Sequence, residues 1–108
     1  MEKYKVFFHF GEELTVKTKV AKGQVWIDEK GLHLTSNTET FTISEISTVE
    51  LFRLHGTMRV IRVDFSKGRL FLSVVRFMIG QFAFVNFLKT GNLKDRIAEL
   101  IQQHAKTQ

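Results

Sequence analysis

The sequence predicts a mainly β domain: a barrel or two-sheet sandwich of about seven strands, extra N-terminal strands, and one C-terminal amphipathic helix. Three observations predict it. Glycines stand at 11, 23, 31, 56, 68, 80 and 91, and several gaps come close to the dozen-residue spacing of strand-plus-turn units. Between them lie runs that alternate apolar and polar residues, most cleanly from Leu14 to Val20, the period of a half-buried strand. Near the C-terminus the period changes: Leu93, Ile97, Leu100, Ile101 and His104 share one stripe of a helix.

The elements follow in order. Tyr4 to Phe10 is a first apolar strand. Gly11-Glu12-Glu13 turns the chain into Leu14–Val20, where Leu14, Val16, Thr18 and Val20 face one way and Thr15, Lys17 and Lys19 the other. Gln24–Asp28 is the next strand, with Val25 and Ile27 inward and Trp26 opposite. Glu29-Lys30-Gly31 and Asn37-Thr38 are turns on either side of Leu32–Ser36, and Thr40–Ile43 closes that meander. Ser44-Glu45-Ile46 reads as a bend or single helical turn anchored by Ile46. Thr48–Leu54 and Met58–Phe65 are strands joined by His55-Gly56-Thr57, and Ser66-Lys67-Gly68 makes a tight hairpin into Arg69–Val75.

The stretch from Leu70 to Leu88, LFLSVVRFMIGQFAFVNFL, is the severest test of this reading. Roughly 20 apolar residues suffice to cross a bilayer. Arg76 would sit near the middle of such a span, at about 2.5–3.5 kcal/mol on insertion scales, and Gln81 and Asn86 add to the cost. Phe and Val dominate the run and suit a pleated sheet. We therefore read it as the last strands of a β core, turning at Ile79-Gly80-Gln81, with a final pass around Phe82–Phe87. In the Met58–Val75 hairpin, Leu70, Leu72 and Val74 serve one face and Phe71, Ser73 and Val75 the other, while Ile61, Val63 and Phe65 lie opposite Val60. Both faces need cover, from the helix, the N-terminal strands or a second subunit, so a homo-oligomer is one expected outcome. The helix is expected over 92–105, with Gly91 before Asn92 as N-cap and Asp95 three residues on, a variant of the capping box. A helix this short is marginal alone, so its stripe must pack on the sheet.

The chain has 108 residues, enough for one core and too few for two. We expect a single domain: 1–22 as N-terminal extension strands, 23–87 as the meander, then the helix. An apolar content of 44% argues for a folded chain. There is no Cys, which removes disulfides, thiolate metal sites and a Cys nucleophile and fits a reducing compartment. The N-terminus has no basic start followed by an apolar block of signal-peptide length, so the expected location is cytoplasmic, peripheral at the membrane where the second half binds it. Residues 1–57 hold seven Lys and Arg against eight Asp and Glu, whereas residues 58–108 hold nine against three. A basic half favours phosphates on membranes or nucleic acid.

Gly23-Gln24-Val25-Trp26-Ile27, Gly31-Leu32-His33-Leu34 and Phe41-Thr42-Ile43-Ser44-Glu45-Ile46, in a chain of strands closed by one helix, resemble the PH-like superfamily, especially its GRAM-like and bacterial PH-like branches. The resemblance covers Gly23–Ile101 and lies in the order of elements more than in motifs. It implies a binding module without catalysis or cofactor. Lipid-binding PH domains carry a basic cluster on the first hairpin; here that hairpin is Asp28-Glu29-Lys30-Gly31, short and acidic, which argues against phosphoinositide recognition at that place.

The candidate anion-binding residues are Lys17, Lys19, Lys22, Lys67 and Arg69. The first three are the densest basic group, on the wet face and at the end of one strand, where they could meet lipid phosphates or guard an edge strand. Lys67 and Arg69 flank Gly68 at a hairpin tip. Trp26, Phe71 and Val75 are candidate interaction residues. No two of His9, His33, His55 and His104 share metal-ligand spacing, and no GxSxG, Walker A or GxGxxG motif occurs. Neither a metal nor an active site is expected, and nucleic acid lacks an interleaved Arg/aromatic signature. The expected partners are anionic lipid headgroups or a protein, phosphorylated or not. The expected function is recruitment to an anionic membrane surface or phosphorylated partner, with a protein-interaction or self-assembly module as the alternative and a β-barrel holding a small apolar ligand as a third reading.

Overall fold

A computed structural model of the chain describes residues 3–13, 20–54, 58–79, 82–85 and 87–106. It contains strands β1 (Tyr4–Phe10), β2 (Ala21–Asp28), β3 (Gly31–Thr35), β4 (Thr40–Ile43), β5 (Ile46–Leu54), β6 (Met58–Phe65), β7 (Gly68–Ile79) and β8 (Phe82–Val85), followed by helix α1 (Phe87–Lys106). The Leu70–Leu88 stretch is thus β strand running into the first turn of a helix. No helix among the described residues is long and apolar enough to cross a membrane.

Seven strands form one antiparallel path, β4-β3-β2-β1-β7-β6-β5, and β8 pairs with β7 off that path. The β2–β3, β3–β4 and β6–β7 links are short hairpins, and the β1–β7 pairing joins the two halves. Val6 opposes Val74 and Phe10 opposes Leu70, while Tyr4 opposes Val25 on the other side. β1 is therefore the middle strand of the seven-strand path and no add-on at its edge, and β2–β8 supply seven strands after it. The physical reason is in its burial. Tyr4, Val6, Phe7 and Phe8 are all buried, which a strand achieves only with cover on both faces. The strand expected from Leu14 to Val20 lies outside the described residues except for Val20.

The sheet curls. Phe10, at the end of the middle strand, touches Phe41 on β4 at 5.0 Å between ring centroids and Phe65 on β6 at 6.4 Å. Residues near opposite edges of a flat seven-stranded sheet could not both reach one ring, since strands are spaced about 4.8 Å apart. Curling brings the inner faces of the two halves together. Between them lie Val6, Phe8, Val25, Leu32, Leu34, Ile61, Val63, Leu70, Leu72 and Val74. α1 plugs the concavity with Leu93, Ile97 and Leu100, all buried.

Two glycines are required by this packing. Gly31, which opens β3, has φ +138, and a Cβ there would stand 2.8 Å from the carbonyl oxygen of Ile43. Gly23 lets the backbone of β2 approach β3: a Cβ would meet the Thr35 carbonyl oxygen at 2.6 Å and the Phe8 ring at 3.0 Å.

The helix begins at Phe87, not at Asn92. Gly91 and Asn92, expected to start it, lie in its second turn. Tertiary contact overrides their weak helix propensity. The Thr90 side chain is fully buried; its Oγ1 accepts from the Val74 N–H at 3.1 Å and lies 3.4 Å from the Val74 carbonyl oxygen, to which it donates. The first turn of α1 is thereby fixed to β7. The stripe of Leu93, Ile97, Leu100 and Ile101 packs as expected; the side chain of His104 lies outside the described residues. Arg96 donates to the Tyr4 hydroxyl at 3.2 Å and ties α1 to β1 as well.

Candidate functional site

The outer face of the sheet carries a second apolar cluster, Phe7, Val60, Phe71 and Val75, with Val20 and Phe52 packed against it. Phe71 is 4% exposed and Val75 9%. Both faces of the β6–β7 hairpin are covered, as their composition demands, and on the outer face the described cover comes from this chain. Phe71 and Val75 are therefore core residues and not an interaction surface. Phe52 meets Phe71 edge-on at 6.0 Å, and His9 stacks on it at 6.5 Å. Ser73, between them in sequence, is fully buried and donates to the Arg59 carbonyl oxygen at 2.6 Å, which satisfies the hydroxyl in an apolar setting.

Of the basic residues named from the sequence, Lys22 and Lys67 lie far apart and Arg69 is held by its own carboxylate partner. Lys17 and Lys19 lie outside the described residues. Lys22 is exposed at the start of β2, opposite Phe7, which in turn opposes Ser73. Lys67 is exposed in the β6–β7 turn, six residues before Ser73. At about 3.3 Å per residue, that is roughly 20 Å along the strand, too far for both to hold one phosphate. Arg69 is committed elsewhere. Its Nε donates to Asp64 Oδ1 at 2.6 Å, and an Nη donates to the Glu12 carbonyl oxygen at 3.0 Å. The hydrogen bond from Arg69 holds the Asp64 carboxyl below its ordinary range, helped by the Thr48 hydroxyl, against some desolvation. The same pair raises the guanidinium pKa. Asp64 also receives Thr48 Oγ1 at 3.0 Å, and Arg62 lies 3.7 Å from its other side while donating to Glu50. Arg69 is a brace for the hairpin, not half of an anion clamp.

A second polar group spans the outer face of β2, β3 and β4. His33 Nε2 is 2.7 Å from Asp28 Oδ1, and its Nδ1 is 3.2 Å from the Thr42 hydroxyl. Trp26 stacks on the His33 ring at 5.3 Å and 17°, with the Lys3 ammonium 4.9 Å from the indole centroid. The His33 hydrogen bond lowers the Asp28 pKa. Trp26 is half-buried in this stack, so its ring is already occupied on two sides. The carboxylate–imidazole–hydroxyl order has the form of a proton relay, but it lies across a strand face and no described crevice adjoins Thr42 to hold a substrate. Among the described residues no three His, Cys, Asp or Glu side chains gather as a metal site would require.

The described crevice lies between the β4–β5 link and the C-terminal half of α1, lined by Gly31, Ile43, Ser44, Glu45, Ile46, Leu100 and Ile101, with about 200 Å³ of space that includes open solvent. That is below the roughly 300 Å³ at which small-molecule sites begin.

What remains conspicuous is the far half of β7. Its pairing with β6 ends at Ile61–Leu72 and its pairing with β1 at Val6–Val74. Beyond Val75 it pairs with β8 alone, and β8 has no other substantial neighbour among the described elements. Leu88, just past this hairpin, is 81% exposed. From Phe65 to Lys94 the chain carries Lys67, Arg69, Arg76, Lys89 and Lys94 and no acidic residue. Sequence reading grouped the basic residues by density and so passed over this acid-free window, whose signal is the absence of Asp and Glu. Compared with family models, with curated proteins and with solved structures, the chain matches none.

Proposed function

We propose that this chain is a non-enzymatic binding module that associates with anionic membrane surfaces through its second half. The observation that carries the reading is the acid-free window from Phe65 to Lys94, which holds five cations, one of them the Asp64-bound Arg69, and the exposed Leu88. Near an anionic leaflet each Lys or Arg contributes about 1 kcal/mol, so even part of this set supports reversible attachment. The order of elements supports a PH-like fold for the module: four strands, three more, and a helix over the mouth of a curled sheet. In this reading the acidic β2–β3 turn points to a surface other than the usual headgroup pocket.

Co-sedimentation with vesicles tests it. Binding is expected to phosphatidylcholine vesicles that contain phosphatidylserine, to be absent without it, and to weaken as salt is raised. Equal binding to both vesicle types, or to neither, overturns the proposal.

A second reading rests on a separate observation. β5 is a nine-residue strand at the end of the sheet, and among the described residues its strand partner is β6. Long edge strands accept another strand, which suits a protein partner or a second copy. A concentration-independent monomer mass in light scattering removes the self-assembly form of this reading.

A further inference from the structure

We propose that the fork where β6 and β7 part, between the Arg53–Arg59 cross-strand pair and the first turn of α1, is a phosphate-binding site. The proposal rests on the surface-binding reading above only for one source of that phosphate, a lipid headgroup; free phosphate is the other source.

The pair is set against its own electrostatics. The β5–β6 ladder holds two charge pairs in direct register. On one face Glu50 opposes Arg62, which donates to it. On the other, Val49 opposes Val63 and Leu51 opposes Ile61, all packed on the interior. Two residues on, this second face carries Arg53 opposite Arg59. Like charges directly opposite destabilise a sheet. Arg53 is exposed, and among the described residues no carboxylate lies within salt-bridge reach of it. One ladder thus answers Arg62 with an acid and Arg59 with a second arginine. A local rule broken in this way points to function, here to a counter-charge from outside the chain.

The pair stands at a fork. β6 pairs with β7 as far as Ile61–Leu72. Two residues further, the same register would set Arg59 beside Val74, but the ladder has ended. The Arg59 carbonyl oxygen accepts from the Ser73 hydroxyl instead, and both backbone groups of Val74 go to Thr90 Oγ1. The first turn of α1 therefore closes the fork, and Lys89, one residue before Thr90, is exposed there. That turn carries no acidic residue. Neither Leu51–Val63 nor Phe65–Lys94 contains Asp or Glu, so the segments that form the fork bring cations and no carboxylate. The positive end of the α1 dipole adds to their potential.

The cations select the ligand. Cross-strand neighbours have Cβ atoms about 4.5–5.5 Å apart, so two guanidinium groups can close on one oxyanion. Their planar donor pairs match phosphate oxygens. A carboxylate brings one charge, whereas a phosphate monoester brings about two at neutral pH. Against Arg53, Arg59 and Lys89 the phosphate is the better complement.

Titrating the ¹⁵N-labelled chain with inorganic phosphate, at an ionic strength held constant with sodium chloride, tests the site. Saturable shifts are expected at the amides of Arg53, Arg59 and Lys89. Arg53→Gln and Arg59→Gln should each weaken phosphate binding about tenfold or more, the worth of a charge-assisted hydrogen bond. Lys30→Gln, in the exposed β2–β3 turn, should leave it unchanged. Should Arg59→Gln fail to fold, the exposed Arg53 decides. Arg53→Glu gives an independent readout: it should abolish the phosphate response and raise the urea midpoint in phosphate-free buffer, because a like pair becomes an opposite one. A lowered midpoint with phosphate binding retained overturns the proposal. So do shifts spread over all basic residues and equal in every variant, which would be general screening. Phosphatidylserine-containing vesicles separate the sources. Vesicle binding weakened by Arg53→Gln supports the lipid headgroup. Phosphate binding without vesicle binding supports the site with free phosphate and rejects the surface reading. Vesicle binding with no phosphate response, and unchanged in both arginine variants, overturns the site and leaves the surface reading standing.

Discussion

The two halves of β7 share one sequence character and live in different surroundings. From Gly68 to Val74 the strand lies between β1 and β6, under α1 on one face and under the Phe7–Phe52–Val20 cluster on the other. Beyond Val75 its described strand partner is β8 alone. Leucines 70 and 72 are fully buried; Phe77 and Ile79 sit in the two-stranded ladder with β8. Hydrophobicity along a strand records that cover is needed. It does not record who provides it.

The largest expected effect separates the halves directly. Leu72→Ala removes a fully buried side chain from the body and should cost about 2–5 kcal/mol. Leu88→Ala, just past the β7–β8 ladder, removes a side chain that is 81% exposed and should change the stability of the free protein by no more than about 0.5 kcal/mol. Urea unfolding of both variants checks this. Comparable losses would mean that Leu88 packs within the cooperative core and would break the comparison.

Much of the body was legible in advance. β1, β4 and β6 have the bounds that alternation and turn residues gave them, because both signals are local. The strand order was not legible, since the β1–β7 pairing joins residues more than sixty positions apart and leaves no local trace. That one pairing is also why Lys22 and Lys67 fall far from each other. The start of α1 was missed because Thr90, an indifferent helix residue, is fixed by a contact with β7. The Asp64–Arg69 brace could have been found: across a two-residue turn at Ser66-Lys67, Asp64 and Arg69 face each other in register, and opposite charges there attract.

The joint between the halves gives the second test. The β6 ladder ends at Leu72, and the buried Thr90 hydroxyl serves both backbone groups of Val74. Thr90→Val keeps the shape and removes the hydroxyl. Leaving buried backbone groups unsatisfied costs about 1–3 kcal/mol, so the midpoint of urea unfolding should fall. Amide exchange should quicken at Val74 and in the first turn of α1 more than in β2 or β3. A uniform rise in exchange would mean that Thr90 acts on global stability alone and does not mark a boundary within β7.

The smallest effect lies at the start of β7, where a brace ties the strand to β6. Asp64 accepts from Arg69 and Thr48, and its carboxyl is held below the ordinary value of 3.8. A group whose folded pKa is depressed contributes stability that is fully present above the unfolded pKa and is lost as pH falls through the folded one. Asp64→Asn should therefore cost up to about 1 kcal/mol at neutral pH, the range of a partly exposed pair. The difference from the parent chain should hold down to about pH 4 and close below it. Added salt should shrink it at neutral pH and leave the effect of Leu72→Ala unchanged, because screening acts on charges and not on packing. A gap between parent and variant that persists well below the folded pKa would mean that Asp64 matters for its shape or its Thr48 hydrogen bond, and that the ordered end of β7 is held by packing alone.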